Sequence, residues 1–518
     1  MGCPPDPNCD GTNYSSRTDL DGLWSARGHE AHQSRRAVAG FDCDDSPQPT
    51  RRTLLGTLTT GGLAGVAGCG LWEGRGGSPP PSISHCHQSV DLAEHQPDGL
   101  GWPQPRRDAA NTGVAHTPAP TAPVETGWTL SEENLEGAIE RGGAFKLAPT
   151  VRDGTVVLSA SSAVHGIDAT DGALQWSVDL TTMHAIEWPT ILTDDLIVAA
   201  DGDSADDENP ALVGLDWSDQ TERWRRDLEL PRGPWSRRPT HDDATLYVQT
   251  RKNELVALDV ATGETRWGPV APAGPIRGSP AVVGDRVFVE GEDRVFALDT
   301  ESGNLLWERP LDLSPTERGS YYLEGVAVAD AERVYVRRTF DWDRIAVDGG
   351  TGADRAFDGF ATLFALDQAD GSTQWTAHFP ASERVAQPVV RDGVVFVDGS
   401  PSRALLDESK EKDGQPEPFV VAIDAANGCE RWRVHPFDDP FAFHHPGMAL
   451  ADDTLVVTRH PEPPERRAIQ GLATADGSVR WEYPLSEESG HLAEPVVADG
   501  TLYQVWDAGG GYKLAAIE

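Results

Sequence analysis

Ala257-Leu258-Asp259-Val260-Ala261-Thr262-Gly263-Glu264-Thr265-Arg266-Trp267 and Ala297-Leu298-Asp299-Thr300-Glu301-Ser302-Gly303-Asn304-Leu305-Leu306-Trp307 share one skeleton. A small residue is followed by Asp two positions later, with Gly four and Trp eight residues after that Asp. The same spacing returns as Gly166, Asp168, Gly172 and Trp176, as Ala365, Asp367, Gly371 and Trp375, and as Ala422, Asp424, Gly428 and Trp432. Two further copies are imperfect: Gly214, Asp216 and Trp224 enclose Gln220 in place of Gly, and Gly471, Gly477 and Trp481 enclose Ala473 in place of Asp. A fixed period of this kind is the mark of a repeat architecture.

Two short β-type runs precede each copy, for example Pro280-Ala281-Val282-Val283 and Arg286-Val287-Phe288-Val289 around the turn Gly284-Asp285, and a third run, Val295-Phe296-Ala297-Leu298, enters the motif. With the strand that carries Trp, this makes a four-stranded unit of roughly 40–50 residues, the size of one propeller blade. The chemistry of the motif is structural. Asp168, Asp216, Asp259, Asp299, Asp367 and Asp424 are expected in the turn, accepting backbone N–H groups. Gly supplies positive φ, and Trp lays an apolar face between neighbouring blades with its indole N–H on a partner.

The two ends set the blade number. After Trp481 come the runs 494–505 and 512–518, three strands of an eighth unit that stops at Glu518 in the Asp position of the motif. Val124-Glu125-Thr126-Gly127-Trp128-Thr129-Leu130 reads as the missing fourth strand, and pairing it with the last one removes an open edge. Trp128 completes a set of eight with Trp176, Trp224, Trp267, Trp307, Trp375, Trp432 and Trp481. The expected fold is all-β, an eight-bladed β-propeller closed by an N-terminal strand in the C-terminal blade.

The motif resembles the PQQ-type repeat shared by quinoprotein dehydrogenases and by the propeller lipoprotein of the bacterial outer-membrane barrel-assembly machinery. The stretch Trp102-Pro103-Gln104-Pro105-Arg106-Arg107-Asp108-Ala109-Ala110-Asn111-Thr112-Gly113 is similar to the lead-in that precedes the first blade in many such proteins. The resemblance covers about residues 102–518 and implies a fold, not an activity. For a quinoprotein it implies PQQ at the ring centre, typically beneath an adjacent Cys-Cys disulfide, with calcium and an Asp as base. This sequence has no Cys-Cys pair and no Cys-x-x-Cys-His haem signature.

Upstream, Thr50-Arg51-Arg52-Thr53-Leu54-Leu55 leads into an uncharged Gly-rich run and then Val66-Ala67-Gly68-Cys69. Arg51 and Arg52 read as a twin-arginine export signal, and Cys69 as the lipid-attachment residue of a lipobox. The run is too short to span a bilayer. The domain plan is a leader over 1–68, a flexible Gly/Pro/Ser tether over 69–101 and the propeller over 102–518. Residues 1–49 are long and polar for a leader, which leaves the true start codon open. His85-Cys86-His87 in the tether has no second Cys/His cluster to make a metal site, and whether Cys86 pairs with Cys429 is also left open.

The chain of 518 residues carries 43 Lys plus Arg against 83 Asp plus Glu, for a formal charge of −40. Nucleic acid is excluded as a partner, because a phosphate-binding face needs clustered positive charge. Only five of the basic residues are Lys. This composition resembles that of proteins adapted to very strong salt, where screening to about 3 Å at 1 M removes most self-repulsion. The leader holds eight acidic and six basic residues, so the acidity belongs to the mature part.

Catalytic constellations are weak. Ser236 and Ser279 precede blade strands and do not sit in a Gly-x-Ser-x-Gly elbow. Asp201–Asn209 is acidic but lacks the Gly and Glu placement of a calcium loop, and reads as solvated. Turns from first to second and from third to fourth strand are short. Long segments at 201–211, 337–361, 399–418, 459–468 and 433–446 fall on the opposite face, where binding is expected. The residues just before the first strands, Glu187, Trp188, Arg237, Arg238, Arg277, Glu324, Gln387, His444, His445 and Glu494, are candidates for a ring at the channel mouth able to hold an anionic group or peptide.

The expected protein is a monomeric, noncatalytic, exported scaffold or binding module. It is anchored by lipid to the outer face of the cytoplasmic membrane and recognises a protein or peptide on the long-loop face without a cofactor. The competing reading is a PQQ- and calcium-dependent or other metal-dependent oxidoreductase; a third is a surface sugar or solute receptor.

Overall fold

A computed structural model describes residues 83–86, 89–93, 101–131, 147–160, 163–180, 189–201, 211–230, 238–272, 274–311, 320–323, 326–341, 360–380, 382–401, 418–436, 447–459, 468–485, 492–508 and 511–518. These lie in one compact unit, Gly74–Glu518. Arg51, Arg52 and Cys69 lie outside the described residues, as do most of the long segments.

The described residues form strands and no helix, in eight antiparallel sheets built one after another along the chain. Blade 1 runs from Thr150–Arg152 through Thr155–Ala160 and Ala163–Asp168 to Leu174–Asp179, and blades 2 to 7 repeat that order. In the eighth, Val496–Ala498, Thr501–Asp507 and Tyr512–Ile517 are completed by Thr126–Ser131, with Trp128 opposite Ala516 and Leu130 opposite Leu514. The ring is closed by the strand that the sequence left over. Glu125 and Glu518 exchange backbone hydrogen bonds of 2.9 Å beyond the last pair.

Each motif works as one joint between two blades. In blade 1 the Asp168 carboxylate accepts from the Thr170 N–H at 2.8 Å, and Gly172, at φ +73°, donates to the Asp168 carbonyl at 2.9 Å. The Trp128 ring of blade 8 lies on that glycine, and its Nε1 donates to the Ala169 carbonyl at 2.9 Å. The pattern continues around the ring: Trp224 on Val260, Trp267 on Thr300, Trp307 on Gln368, Trp375 on Ala425 and Trp432 on Thr474, all at 2.7–3.0 Å. A side chain on any of these glycines would collide with the indole, as at Gly303, where a Cβ would lie 2.5 Å from Trp267 Cε3.

The motif aspartates stand where strand and turn meet, and their carboxylates accept turn N–H groups as expected. Asp168, Asp216, Asp259, Asp299, Asp367 and Asp424 each end the third strand of their blade and open the turn that follows. Asp367 shows why: it is the last residue of Phe360–Asp367, in register with Arg333 of the second strand, while its carboxylate reaches forward to accept from the Ala369 N–H at 2.8 Å. The Gly371 N–H then donates to the Asp367 carbonyl at 2.9 Å. The backbone thus stays in the ladder and only the side chain serves the turn. Asp367 is also held more loosely than three of its counterparts. Arg223, Arg266 and Arg431 donate to Asp216, Asp259 and Asp424 from seven residues on, whereas Gln374 in that place reaches Asp367 only at 3.4 Å.

The two imperfect joints are instructive. Trp481 packs in the core that blade 8 shares with its neighbours, and its Nε1 is buried without a partner. In the joint that follows Trp176 in the repeat, Gln220 keeps the left-handed conformation of the missing glycine at φ +58°. The Gln220 amide donates at 2.8 Å to the Trp217 carbonyl, the atom an indole takes in the other joints. We expect Gln220→Gly to raise thermal stability, because it removes about 1–2 kcal/mol of left-handed strain and frees that carbonyl for Trp176. Gly303→Ala is expected to cost about 2–4 kcal/mol by combining strain with the indole clash. Differential scanning calorimetry of both variants reads these opposite signs.

Part of the stretch expected to be a flexible tether is held on the disc. Cys86 and Cys429 form a disulfide. Around it Cys86 N–H donates to the Glu430 carbonyl at 3.0 Å, Glu430 N–H to the Ser84 carbonyl at 2.8 Å, and His85 Nδ1 meets Glu430 Oε1 at 3.2 Å. Ile83 and Val90 are buried in the cores of blades 5 to 7, and Ala93 is fixed from both sides by Asp392 and Arg391. The physical reason is apolar burial plus a covalent clip, neither of which a Gly/Pro/Ser composition announces. Replacing both cysteines with Ser should cost about 3–5 kcal/mol, as expected for a crosslink closing a very long loop, and should open this stretch to proteolysis. Urea titration and limited digestion check it.

Candidate functional site

The innermost strand of each blade has a neighbour on one side only, so its inner edge turns unpaired N–H and C=O groups toward the axis. The lead-in segment satisfies them. Trp102 exchanges two backbone bonds with Val151 of blade 1 at 2.8 and 2.9 Å, and the Pro103 carbonyl accepts from Leu192 of blade 2 at 2.7 Å. The Gln104 amide then imitates a strand: it donates to the His241 carbonyl and accepts from the His241 N–H, both at 2.9 Å, in blade 3. Carbonyls of Ala109, Ala110, Thr112 and Gly113 take the N–H groups of Val282, Ala329, Val390 and Leu450 in blades 4 to 7 at 2.7–3.2 Å. Val114–Ala115 runs parallel to Ala449–Ala451. Ala115 and Ala119 then reach the core of blade 8 beside Ala493, Val496 and Val497.

This segment thus visits every blade in turn and forms a hub across the channel, at the end of the inner strands that leads into the short turns. So tight a circuit needs left-handed backbone, found at Arg106 (φ +60°), Arg107 (φ +72°), Asn111 (φ +59°) and Gly113 (φ +71°). Asn111 tolerates that region; two consecutive arginines do so only under constraint. Asn111 Nδ2 donates to the Pro280 and Ala327 carbonyls at 2.9 and 3.0 Å. The Arg106 guanidinium, 2% exposed, donates to the carbonyls of Asn111, Met448 and Pro388. Burial lowers the Arg106 pKa to about 10, while Glu494 pulls it back up, so the group stays charged at neutral pH.

Of the ten predicted channel-mouth residues, Arg238, Gln387 and Glu494 are brought to this place. Arg238 Nη1 meets Glu494 Oε2 at 2.6 Å, and the Arg238 N–H donates to Ser279 Oγ at 2.8 Å, the structural use of that serine. A Cβ on Gly447 would stand 3.2 Å from Glu494 Cγ and 3.6 Å from Arg106 Nη1, so this glycine lies between the acid and the buried cation. Gln387 is buried beside Pro388. Arg277 begins the strand Arg277–Val283, with its side chain outside the described residues. Glu187, Trp188, Arg237, Glu324, His444 and His445 also lie outside them.

Sequence reasoning overlooked Arg106, Asn111 and a buried polar set at the far end of the second strands: Ser159, Gln249, Glu290, Arg337, Asp398 and Thr458. The available signal was a polar residue closing each apolar run, as in Val-Phe-Val-Glu290 and Val-Tyr-Val-Arg337. Two of these side chains reach into the next blade: Gln249 Nε2 donates to the Ile276 carbonyl, and Arg337 Nη1 to the Val385 carbonyl at 2.8 Å. Burial pushes the Asp398 carboxyl up to about 8. A raised acid contributes stability that is full below its ordinary value near 3.8 and is lost as pH rises to about 8. Asp398→Asn should match the parent at pH 4 and become the more stable of the two by pH 8, read as unfolding midpoints across that window.

The quinone and calcium of the competing reading find poor terms here. Calcium takes six to eight oxygens, carboxylates foremost. At the hub the inner edges are saturated by the lead-in, and Glu494 is held by Arg238. Among the described residues no three His, Cys, Asp or Glu side chains gather as a metal site. Among the described residues the hub offers the pair no set of carboxylates.

The geometry defines a class: a PQQ-type-repeat β-propeller of eight blades whose axis is crossed by its own lead-in segment. A family model described as outer membrane protein assembly factor BamB matches residues 160–339 and 416–518, more than half of the chain, and the chain belongs to that family. A second model, the β-propeller domain of glucose/ethanol/alcohol dehydrogenases, matches residues 270–455. Among solved structures, the quinohemoprotein alcohol dehydrogenase ADHIIG from Pseudomonas putida HK5 is 12% identical, with 82% of this chain and 80% of that one covered at a TM-score of 0.52. The quinohemoprotein alcohol dehydrogenase from Comamonas testosteroni is 14% identical, covering 83% and 82%, also at 0.52. BamB from Moraxella catarrhalis is 15% identical and covers 76% of this chain and 98% of its own, at 0.48. At such identities the two dehydrogenases share the fold. Among curated proteins nothing matches.

Proposed function

We propose that this chain is a noncatalytic binding module, exported and held by lipid at Cys69 on the outer face of the cytoplasmic membrane, that engages a protein or peptide with its long-loop face. The observation that carries this reading is the hub: the chain spends its own segment on the inner edges of seven blades, at the centre of the ring where a quinone enzyme would seat its cofactor. Membership of the BamB family favours a scaffold. The Cys86–Cys429 disulfide suits an oxidising location outside the cytoplasm. The docked residues 83–86 and 89–93 meet the short turns of blade 6 at Asp392 and at the turn before Cys429.

The test is capture by the full-length lipidated protein, compared with a variant whose segment 402–417 is replaced by a short Gly/Ser linker. A protein retained by the parent and lost by the folded variant is the expected result; equal retention places recognition elsewhere. The dehydrogenase reading rests on the match over residues 270–455. Mass spectrometry and absorbance of the purified protein incubated with PQQ and calcium address it, and stoichiometric quinone would overturn the scaffold reading.

A further inference from the structure

In blade 6 the fourth strand, Glu430–Val434, is not left as a bare edge. Residues 84–86 run parallel to it at Glu430, whose N–H donates to the Ser84 carbonyl at 2.8 Å and whose carbonyl accepts from the Cys86 N–H at 3.0 Å. Glu430 stands six places after the motif aspartate, opposite Ile423 of the third strand. The same place and register recur as Leu174 opposite Ile167, Leu305 opposite Leu298 and Val479 opposite Leu472. Their N–H and C=O groups therefore point away from the sheet, as those of Glu430 do. Beneath the added strand the glutamate is 3% exposed, whereas the uncovered Leu174, Leu305 and Val479 are 42%, 42% and 48% exposed. A carboxylate is buried and aliphatics lie in water, the reverse of what each side chain prefers.

Blade 4 carries this furthest. Leu306, 45% exposed, follows Leu305, and with Leu174 and Val479 these are the exposed large apolar side chains of the described residues. At the place of Leu306 the other motifs have Gln175, Arg223, Arg266, Gln374, Arg431 and Arg480. Five of these donate to a carboxylate of their own blade. Blade 4 gives that bond up and leaves Asp299 to the Ser302 N–H and hydroxyl of its turn. Charge and proline, the usual guards of a sheet edge, stand only in the second half of its strand, as Glu308, Arg309 and Pro310. Single exposed leucines need no explanation; a neighbouring pair on an open edge, in the register where the fold already adds a strand, does.

We propose that the outer edge of blade 4 at Leu305 and Leu306 docks an extended segment of a partner protein, added in parallel as residues 84–86 are in blade 6. An aliphatic side chain of that segment, the counterpart of Ile83, packs on the two leucines. Backbone hydrogen bonds supply affinity and the aliphatic contact supplies selection. Such a contact keeps its strength in concentrated salt, which screens ion pairs and leaves apolar burial intact. Leu305 directly follows a short turn, away from the long loops, so the site does not rest on the reading proposed above.

Asn304 holds the place in blade 4 that Cys429 holds in blade 6, five after the motif aspartate. Asn304→Cys in the full-length protein therefore sets a thiol where a docked strand would bring its own. The probe is a synthetic peptide of residues 81–93, which contains Cys86, offered in competition with glutathione under disulfide exchange. Mass mapping of position 304 reads which thiol is taken. We expect the peptide to be favoured there about tenfold over its capture by Glu301→Cys, an exposed control in the adjoining turn. Leu305→Thr with Leu306→Arg copies the edge of blade 3, Thr265-Arg266, and keeps the fold. Added to Asn304→Cys, the pair should lower capture about tenfold, the effect of two half-buried leucine contacts. A peptide bearing Ile83→Asp should fall to the level of the control. Equal capture at positions 304 and 301 overturns the site, and so does capture that ignores the leucine substitutions. A dimer in sedimentation that the same pair abolishes assigns the edge to a second copy and overturns the peptide partner. Slow hydrogen exchange of the Leu305 amide in the unbound protein shows the edge covered by its own chain and overturns it too.

Discussion

One contact repeats until it becomes a shape: an indole from one blade lying on a glycine in the next. The glycine has to be there twice over, once because the turn needs a left-handed residue and once because a Cβ would occupy the volume of the ring system. The indole N–H then takes a carbonyl left over at the tip of that turn, so packing and hydrogen bonding agree on one angle between sheets. Trp224, Trp267, Trp307, Trp375 and Trp432 hold that angle from blade to blade, and the eighth sheet has to be shared between the two chain ends for the ring to meet itself.

A closed ring solves the problem of edges at the outside of each sheet only partly and leaves it untouched at the centre. Each inner strand still shows its bare side to the axis. A bound ligand or ordered water is one answer; here the answer is peptide. The lead-in has one polar side chain, Gln104, standing in for backbone, and one, Asn111, that ties two blades with a single amide. Arg106 reaches two more. Part of the resemblance to PQQ-type proteins drew on this lead-in, and its residues are the ones that cross the axis.

What the sequence made legible was whatever obeys local rules. The Asp-x-x-x-Gly-x-x-x-Trp spacing is a turn and its strand, although residues such as Asp367 prove to be the end of one strand and only lend their carboxylates to the turn. Val124–Leu130 stood out because it had no partner nearby. The hub was not legible, because its bonds connect residues hundreds of positions apart and are mostly backbone to backbone, without regard to side-chain type. Gln104, Arg106 and Asn111 were visible as letters of a lead-in and silent as to role. Arg238, Gln387 and Glu494 were found by their position before the inner strands, a topological argument; that two of them pair across blades needed coordinates. The Cys86–Cys429 link lay at the edge of inference for the same reason, since 343 residues separate its ends.

The clip on blade 6 also determines how the molecule answers a pull. Tension applied upstream of Ile83 arrives at Cys86 before it arrives at the lead-in, and the covalent bond passes it into the turn between Asp424 and Glu430, two strands held in register by their own ladder. The hub and the closing strand Thr126–Ser131 lie downstream and feel none of it. A ring whose seam is made of its first strand would otherwise open like a zipper from the end that is tugged; here the tug is diverted to a blade one position away from the seam's neighbour, and the seam is mechanically silent.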